Sequence, residues 1–398
     1  MKKIIFINSV YGSGSTGKIV KNLSYISQKN NFDCYSIYGR EKKEVGIKEK
    51  YIGNTLYFYL HIFFTRLFDK HGRCSSFVTK KIIKYIESIN PDIIHLHNIH
   101  GYYLNYEMLF KYLKSTNVPV IWTFHDCWPY TGHCAYYSYL KCDKWKVDGC
   151  KKCISKKSYP SCYLFSNSKN NYILKKNIFS NVNKLTIVTP SEWLKKEVSE
   201  SFFSKYPCYV INNGIDLNVF FPKNAKKRFD KKVILGVANV WEPRKGLQDF
   251  YKLSDLLPED YLIVLIGLSE KQITQLNSNM CGIKRTANQI ELAELYSEAL
   301  CFVNPTYEDN FPTTNLESLA CGTPVITYNT GGSPEAVDEN TGFVVEQGSV
   351  EKIYDCIKII DDNGKDFYKD NCVLRAKSCY NQEDNYMKYV KLYNEVLS

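Results

Sequence analysis

Long apolar runs are missing from this chain, and that absence excludes the most. No run approaches the roughly 20 apolar residues of a membrane-spanning helix. Residues 1–10 are too short for a signal peptide and lack a cleavage site, so the expected location is the cytoplasm. Acidic residues are scarce beside basic ones, 41 against 52, for a net charge of +11. The deficit lies in one half: residues 1–200 hold 31 Lys+Arg and 14 Asp+Glu, whereas residues 201–398 hold 21 and 27. A solvated lysine-rich surface accounts for such a bias, and so does attraction to an anionic lipid surface or a pyrophosphate-linked acceptor. No nucleic-acid-binding module accompanies the charge, which argues against a nucleic-acid partner. An Asp-x-Asp metal motif is also absent. Cysteine is plentiful, with fifteen residues, and without an export signal these read as thiols or metal ligands rather than disulfides.

At 398 residues, 44% of them hydrophobic, the chain is long enough for two domains with separate cores. Strand-like runs at 3–10, 34–38, 92–96, 118–124 and 185–189 alternate with helix-like segments at 17–28 and 77–88. Ser191 caps a further helix that should run to about residue 203. A second series follows the turn at 213–216, with strands at 233–238, 262–266, 300–304 and 325–328. This alternation is the pattern of an α/β fold built on doubly wound parallel sheets. The expected division is residues 1–208, with a cysteine-rich insert at 127–162, then 209–380, then a C-terminal helix at 381–398 that packs back on the first domain. Residues 56–68, rich in Tyr and Phe but too short to span a bilayer, read as a buried helix or as an interfacial anchor.

The most informative stretch is 305–324. An apolar strand ends at Asn304, a polar loop carries Glu308, Asp309, Asn310 and Phe311, and a helix begins near Thr313 and stops at Gly322 and Pro324. A buried strand that leads through a polar loop into a helix N-terminus is where an α/β sheet holds an anion. Glu317 lies one turn inside that helix. The run resembles the nucleotide-sugar signature of the GT-B glycosyltransferases, family 4, in which two acids with seven residues between them flank such a loop. Asp309 and Glu317 have that spacing, although the family's first acid is usually Glu. The resemblance implies two Rossmann-like domains facing a cleft, the first for an acceptor and the second for a nucleotide sugar. It also implies that Glu317 holds the ribose hydroxyls and that Asp309 lies near the transferred sugar, with Asn310, Phe311, Thr313 and Thr314 as donor contacts.

Other motifs fit the same family. Gly12, Gly14, Gly17 and Lys18 follow the first strand and match a phosphate loop, but position 19 is Ile where a nucleotide hydrolase needs a hydroxyl for Mg²⁺. Gly14 and Ser15 instead occupy the positions of the family's first-strand glycine pair, where backbone can approach the donor phosphate. Arg244 and Lys245 precede Gly246 and correspond to the pyrophosphate-binding cations, Lys245 matching better than Arg244. His125 follows a strand and matches a family histidine near the donor sugar, and Arg285 lies where relatives hold the base. His95, His97 and His100 lack a partner acid in sequence and read as cleft-lining or structural residues rather than metal ligands. Cys134, Cys142, Cys150 and Cys153 could close a structural zinc site that orders the insert, the alternative being reduced, unligated thiols.

The function implied is a retaining, metal-independent transfer of a sugar from a nucleoside-diphosphate donor to a glycan, expected to be lipid-linked, in surface-polysaccharide assembly. No catalytic cofactor is expected, and the enzyme would be cytoplasmic and peripheral on the inner face of the membrane. Rival functions are a GT-B sugar epimerase, a P-loop nucleotide-binding protein, and a sensor that binds donor without turnover.

Overall fold

A computed structural model describes residues 1–42, 46, 48–224 and 227–398. The chain forms two compact units, Met1–Ile211 together with Tyr386–Ser398, and Asn212–Asn385. The first unit holds β1 (Lys2–Asn8), β2 (Phe32–Tyr38), β3 (Glu49–Tyr51), β4 (Ile93–Leu96), β5 (Val120–Thr123), β6 (Leu185–Thr189) and β7 (Cys208–Val210). They pair in parallel in the order β3-β2-β1-β4-β5-β6-β7. A parallel sheet needs helices on both faces, and alternate β1 residues serve the two. Ile5 and Ile7 enter a core with Val78, Ile82, Leu109, Phe179 and Leu194 from four helices. Ile4 and Phe6 enter another with Ile19, Leu23, Tyr386, Tyr389 and Tyr393.

The second unit repeats the plan with β8 (Lys232–Val237), β9 (Tyr261–Ile266), β10 (Met280–Ile283), β11 (Cys301–Asn304), β12 (Val325–Tyr328) and β13 (Gly342–Val345). Their order is β10-β9-β8-β11-β12-β13, again all parallel. In each unit the chain winds outward from the first strand and then returns to its other side. The loops after β1 and β4, and those after β8 and β11, therefore flank the point where the winding reverses, at the strands' C-terminal ends, which is where sheets of this kind have their crevice.

Every strand expected from the sequence is present, its ends shifted by at most two residues. The helix capped by Ser191 is shorter than expected, Glu192–Ser199, with the Ser191 hydroxyl accepting the Leu194 N–H at 3.2 Å. Among the described residues no helix is long and apolar enough to cross a membrane.

The cysteine-rich insert is ordered differently from expectation. Among the described residues no group of three or more His, Cys, Asp or Glu side chains is arranged to hold a metal ion, so the zinc site expected of Cys134, Cys142, Cys150 and Cys153 is not supported. The insert does not need one, because it is not poor in apolar core: Trp128, Tyr130, Cys134, Tyr137, Trp145 and Cys150 are part of the first unit's main core. Burial pushes the Cys150 and Cys153 thiols up to about 12 and about 11, and raises Cys134 well above the usual thiol value. They are packed, protonated thiols, and none of the fifteen cysteines is in a disulfide. Buried polar groups complete the seal. Lys175 donates to the Trp128 and Thr131 carbonyls at 2.7 and 3.0 Å, and its burial brings it down to about 7. His133 bonds to Asp69 at 2.6 Å.

Candidate functional site

In the second unit the loops after β8 and β11 are sewn together at the crevice. The Tyr307 N–H donates to the Arg244 carbonyl at 2.8 Å, and Arg244 Nη1 donates to the Glu308 carbonyl at 3.1 Å. Gly246, with φ of +75°, lets the strands approach: a Cβ there would lie 2.1 Å from the Pro305 carbonyl oxygen. The loop after β12 joins them, since the Gly332 N–H donates to the Asp309 carbonyl at 3.2 Å. A Cβ on Gly331 would meet that same oxygen at 1.9 Å.

This stitching brings Lys245 Nζ to 2.6 Å from Asp309 Oδ2, each side chain about one-fifth exposed at 20% and 19%. The ion pair joins two of the residues singled out in sequence, 64 positions apart. Arg244 is turned partly aside, its Nε on Glu242 at 3.0 Å. The helix that follows, Thr313–Ala320, opens on Pro312, and among the described residues no side chain caps it. Thr313 and Thr314 in its first turn are partly exposed, so backbone N–H groups and the positive end of the helix dipole are offered to an anion. Glu317, one turn along, accepts the buried Tyr296 hydroxyl at 3.1 Å.

Three further site residues differ from this pair in exposure. Asn310 and Phe311 are buried, and the Phe311 ring packs edge-on against Tyr380 at 5.8 Å. Phe311 thus shapes the loop from beneath. Arg285 is exposed in the segment after β10.

A buried polar brace was not anticipated. Asn315 accepts from Asn304 at 2.8 Å and donates to the Ser333 carbonyl and hydroxyl, each at 3.1 Å. Ser333 also bonds to Thr327 at 2.7 Å. The brace holds the helix start, β11 and the loop after β12 in one geometry. The available signal was a polar residue on a helix face that otherwise reads as core.

In the first unit the glycine loop leads into the helix Gly14–Lys29, where Gly14 (φ +58°) and Ser15 are exposed at the N-terminus. Ser13 Oγ at the N-cap has no hydrogen-bond partner among the described residues. Ile19 is buried in the core, so its position faces away from any phosphate and the nucleotide-hydrolase alternative loses its metal-binding side as well as its hydroxyl. His125, just past β5, stacks on His97 with Nε2 3.0 Å from its Nδ1. Burial lowers His125 to about 4, so at neutral pH the two rings share one proton donor and one lone pair. His95 is structural, held between the Tyr393 hydroxyl at 2.8 Å and Thr123 at 2.9 Å. His100, by contrast, does have a partner acid: its Nε2 lies 2.8 Å from Asp126, a pairing that the sequence did not reveal.

Comparison with known proteins bears on both units. Glycosyltransferase Family 4 matches residues 34–219, and Glycosyl transferases group 1 matches residues 220–370. A protein of Escherichia coli named as a colanic acid biosynthesis glycosyl transferase is 25% identical over 275 residues, 65% of this chain and 65% of that one. An N,N'-diacetylbacillosaminyl-diphospho-undecaprenol alpha-1,3-N-acetylgalactosaminyltransferase of Campylobacter jejuni is 25% identical over 48% of this chain and 54% of its own. The chain thus spans between about half and two thirds of the length of these relatives. Among solved structures, a sucrose-phosphate synthase from Thermosynechococcus elongatus superposes with a TM-score of 0.71 at 16% identity, covering 100% of this chain and 99% of that one. Anabaena HepE in complex with UDP-glucose gives 0.68 at 14% identity, covering 99% and 100%. Both likenesses speak for the fold.

Proposed function

Because the chain belongs to the GT-B glycosyltransferases of family 4, we propose that it moves a sugar from a nucleoside-diphosphate donor to a glycan acceptor, lipid-linked, in surface-polysaccharide assembly. The observation that carries this reading is the Lys245–Asp309 pair at the crevice of the second sheet, beside an uncapped helix N-terminus. An ammonium and a set of backbone N–H groups at one spot are what a departing diphosphate requires. The names of the relatives from Escherichia coli and Campylobacter jejuni support the polysaccharide context, and the UDP-glucose bound by HepE supports the donor class.

In this mechanism the donor's β-phosphate takes over Lys245 from Asp309 and rests on the N–H groups of the first helical turn. Glu317 receives the ribose hydroxyls, and Asp309, released, faces the transferred sugar beside Asn310. The bond from the anomeric carbon to the phosphate oxygen breaks as the acceptor oxygen attacks on the same face. The acceptor's proton passes to the departing phosphate, so configuration is retained and no side chain is alkylated. Within the first unit, Gly14 and Ser15 offer exposed backbone to a phosphate and neutral His125 offers a hydrogen bond to a sugar hydroxyl. The cations are protein side chains, so activity should survive EDTA.

The test is donor binding across UDP-, GDP- and ADP-sugars, followed by NMR of the product's anomeric configuration. An inverted product, or loss of turnover in EDTA that Mg²⁺ or Mn²⁺ restores, would falsify the mechanism. Donor cleavage that releases free sugar whatever acceptor is present would favour an epimerase instead.

A further inference from the structure

The helix Thr55–Phe68 is turned inside out. Its polar residues His61 and Thr65 are buried, with His61 bonded to the Ser75 hydroxyl at 3.0 Å and accepting the Gly72 N–H at 2.9 Å. Leu56, Tyr59, Leu60, Phe63, Phe64 and Phe68 lie on the outer face, between 36% and 65% exposed. These positions recur in steps of three and four, which makes one unbroken stripe along the helix. A second strip widens it. The Tyr163 and Phe165 N–H groups donate to the Arg66 and Leu67 carbonyls at 2.8 and 2.9 Å, and the Phe165 ring stacks on Phe68 at 6.1 Å. Tyr163, Leu164 and Phe165 are each more than half exposed. A contiguous apolar patch of this size marks an interaction surface.

Charge indicates what covers it. Between Lys50 and Ile86 the chain carries seven Lys and Arg residues and one acid, Asp69, which is buried against His133. On the adjoining helix Ser76–Ile89, Phe77 stacks on Tyr57 at 5.6 Å and Lys81 lies over the Phe77 ring at 4.5 Å. Lys50, Lys81 and Lys84 then line a groove of about 450 Å³ with Tyr51, Tyr85 and Ser88, without an acid in its wall. A second copy of the chain would bring the same positive charge to the contact. A bilayer with anionic headgroups matches both features.

We infer that this face docks flat on an anionic lipid bilayer, the aromatic stripe entering the headgroup region and Lys50, Lys81 and Lys84 holding lipid phosphate. With 14 residues the helix is about 21 Å long, too short for a hydrocarbon core of about 30 Å and suited to lie in the plane of the interface. The inference rests on the proposed lipid-linked acceptor for its purpose, and it names the surface that brings the enzyme to that acceptor.

The experiment is co-sedimentation of the full chain with phosphatidylcholine vesicles, with and without phosphatidylglycerol, at physiological salt. Anionic vesicles should bind at least about tenfold more tightly, since each lysine at such a surface contributes roughly fivefold. The triple variant Leu60→Ser, Phe63→Ser, Phe64→Ser should lose binding to both, and Lys81→Glu with Lys84→Glu should erase the anionic preference. Phe63→Trp should show blue-shifted emission quenched by brominated lipid. Binding of the triple variant equal to wild type, or wild type indifferent to anionic lipid, overturns the inference. So does a wild-type dimer that the triple variant converts to monomer without any vesicle binding. Donor binding by calorimetry should be unchanged in the triple variant. Lipid binding without donor binding in the wild type would instead sink the glycosyltransferase reading and leave this surface standing.

Discussion

Replacing Lys245 with alanine removes the ammonium that the fold delivers to Asp309, and two different energies follow from the geometry. In the folded protein the pair is made at 2.6 Å with both side chains about one-fifth exposed. A partly solvated pair of this kind contributes at most about 1 kcal/mol to stability, so Tm should fall by only a few degrees. On the reaction path the same ammonium meets charge that grows on the leaving phosphate, where a hydrogen bond to a charged group is typically about 1.5–3 kcal/mol. Felt only in the transition state, that is on the order of a 10- to 150-fold loss of turnover. The assay is release of nucleoside diphosphate at saturating donor, read beside KM and a thermal melt. Lys245→Arg should recover part of the rate, because the charge returns in a different geometry. Unchanged turnover with a raised KM would mean that Lys245 binds donor and transition state alike and would refute its assignment to the leaving group. A collapse in Tm would show a structural role.

Glu317→Ala should weaken donor binding more than turnover, since ribose contacts are equal in ground and transition states; calorimetry separates the two, and a pure loss of turnover counts against the assignment. Tyr296→Phe removes the hydroxyl that holds Glu317 and should cost about fivefold in donor affinity, the size of one ordinary hydrogen bond, with an unchanged affinity showing that the carboxylate needs no such guide. Gly246→Ala places a Cβ against the Pro305 carbonyl at a positive φ and should destabilise by about 2 kcal/mol or more while also spoiling donor binding, so a wild-type melt would contradict the close approach. His61 and His95 are lowered to about 3 and His125 to about 4 by burial. Their folded-state values lie below the unfolded value near 6.5, so stability is complete above pH 6.5 and is lost as pH falls toward 4, by up to about 1.4 kcal/mol per pH unit for a fully buried ring such as His95. A Tm that stays level from pH 7.5 to 5 would disprove this.

How much of this could be read in the sequence depended on the range of the interaction. The central strands were legible because they are short apolar runs, most of them closed by Gly, Pro or Asn, and a strand buried on both faces must be apolar throughout. β3, β10 and β13 were not, being three or four residues long and partly exposed. The helix at 313 and the acids at 309 and 317 stood out through spacing, and a motif with local geometry carries its meaning in the sequence.

Which groups meet was decided by tertiary structure. Lys245 and Asp309 touch because β8 and β11 are neighbours at the point where the winding reverses, and two glycines without a Cβ allow the loops to close. The Asn315 brace and the His100–Asp126 pair depend in the same way on backbone that chain order does not place together. Two further residue sets had sequence patterns with more than one reading. The cysteines of the insert matched a zinc spacing, but the surrounding aromatic residues fill the core without metal. The stripe from Leu56 to Phe68 had the composition of a buried helix; its direction was set by His61 and Thr65, whose hydrogen bonds could be satisfied inside. Hydrophobicity alone specifies that a face will be covered. What covers it, protein or another phase, depends on which side of the helix the rest of the chain has already claimed.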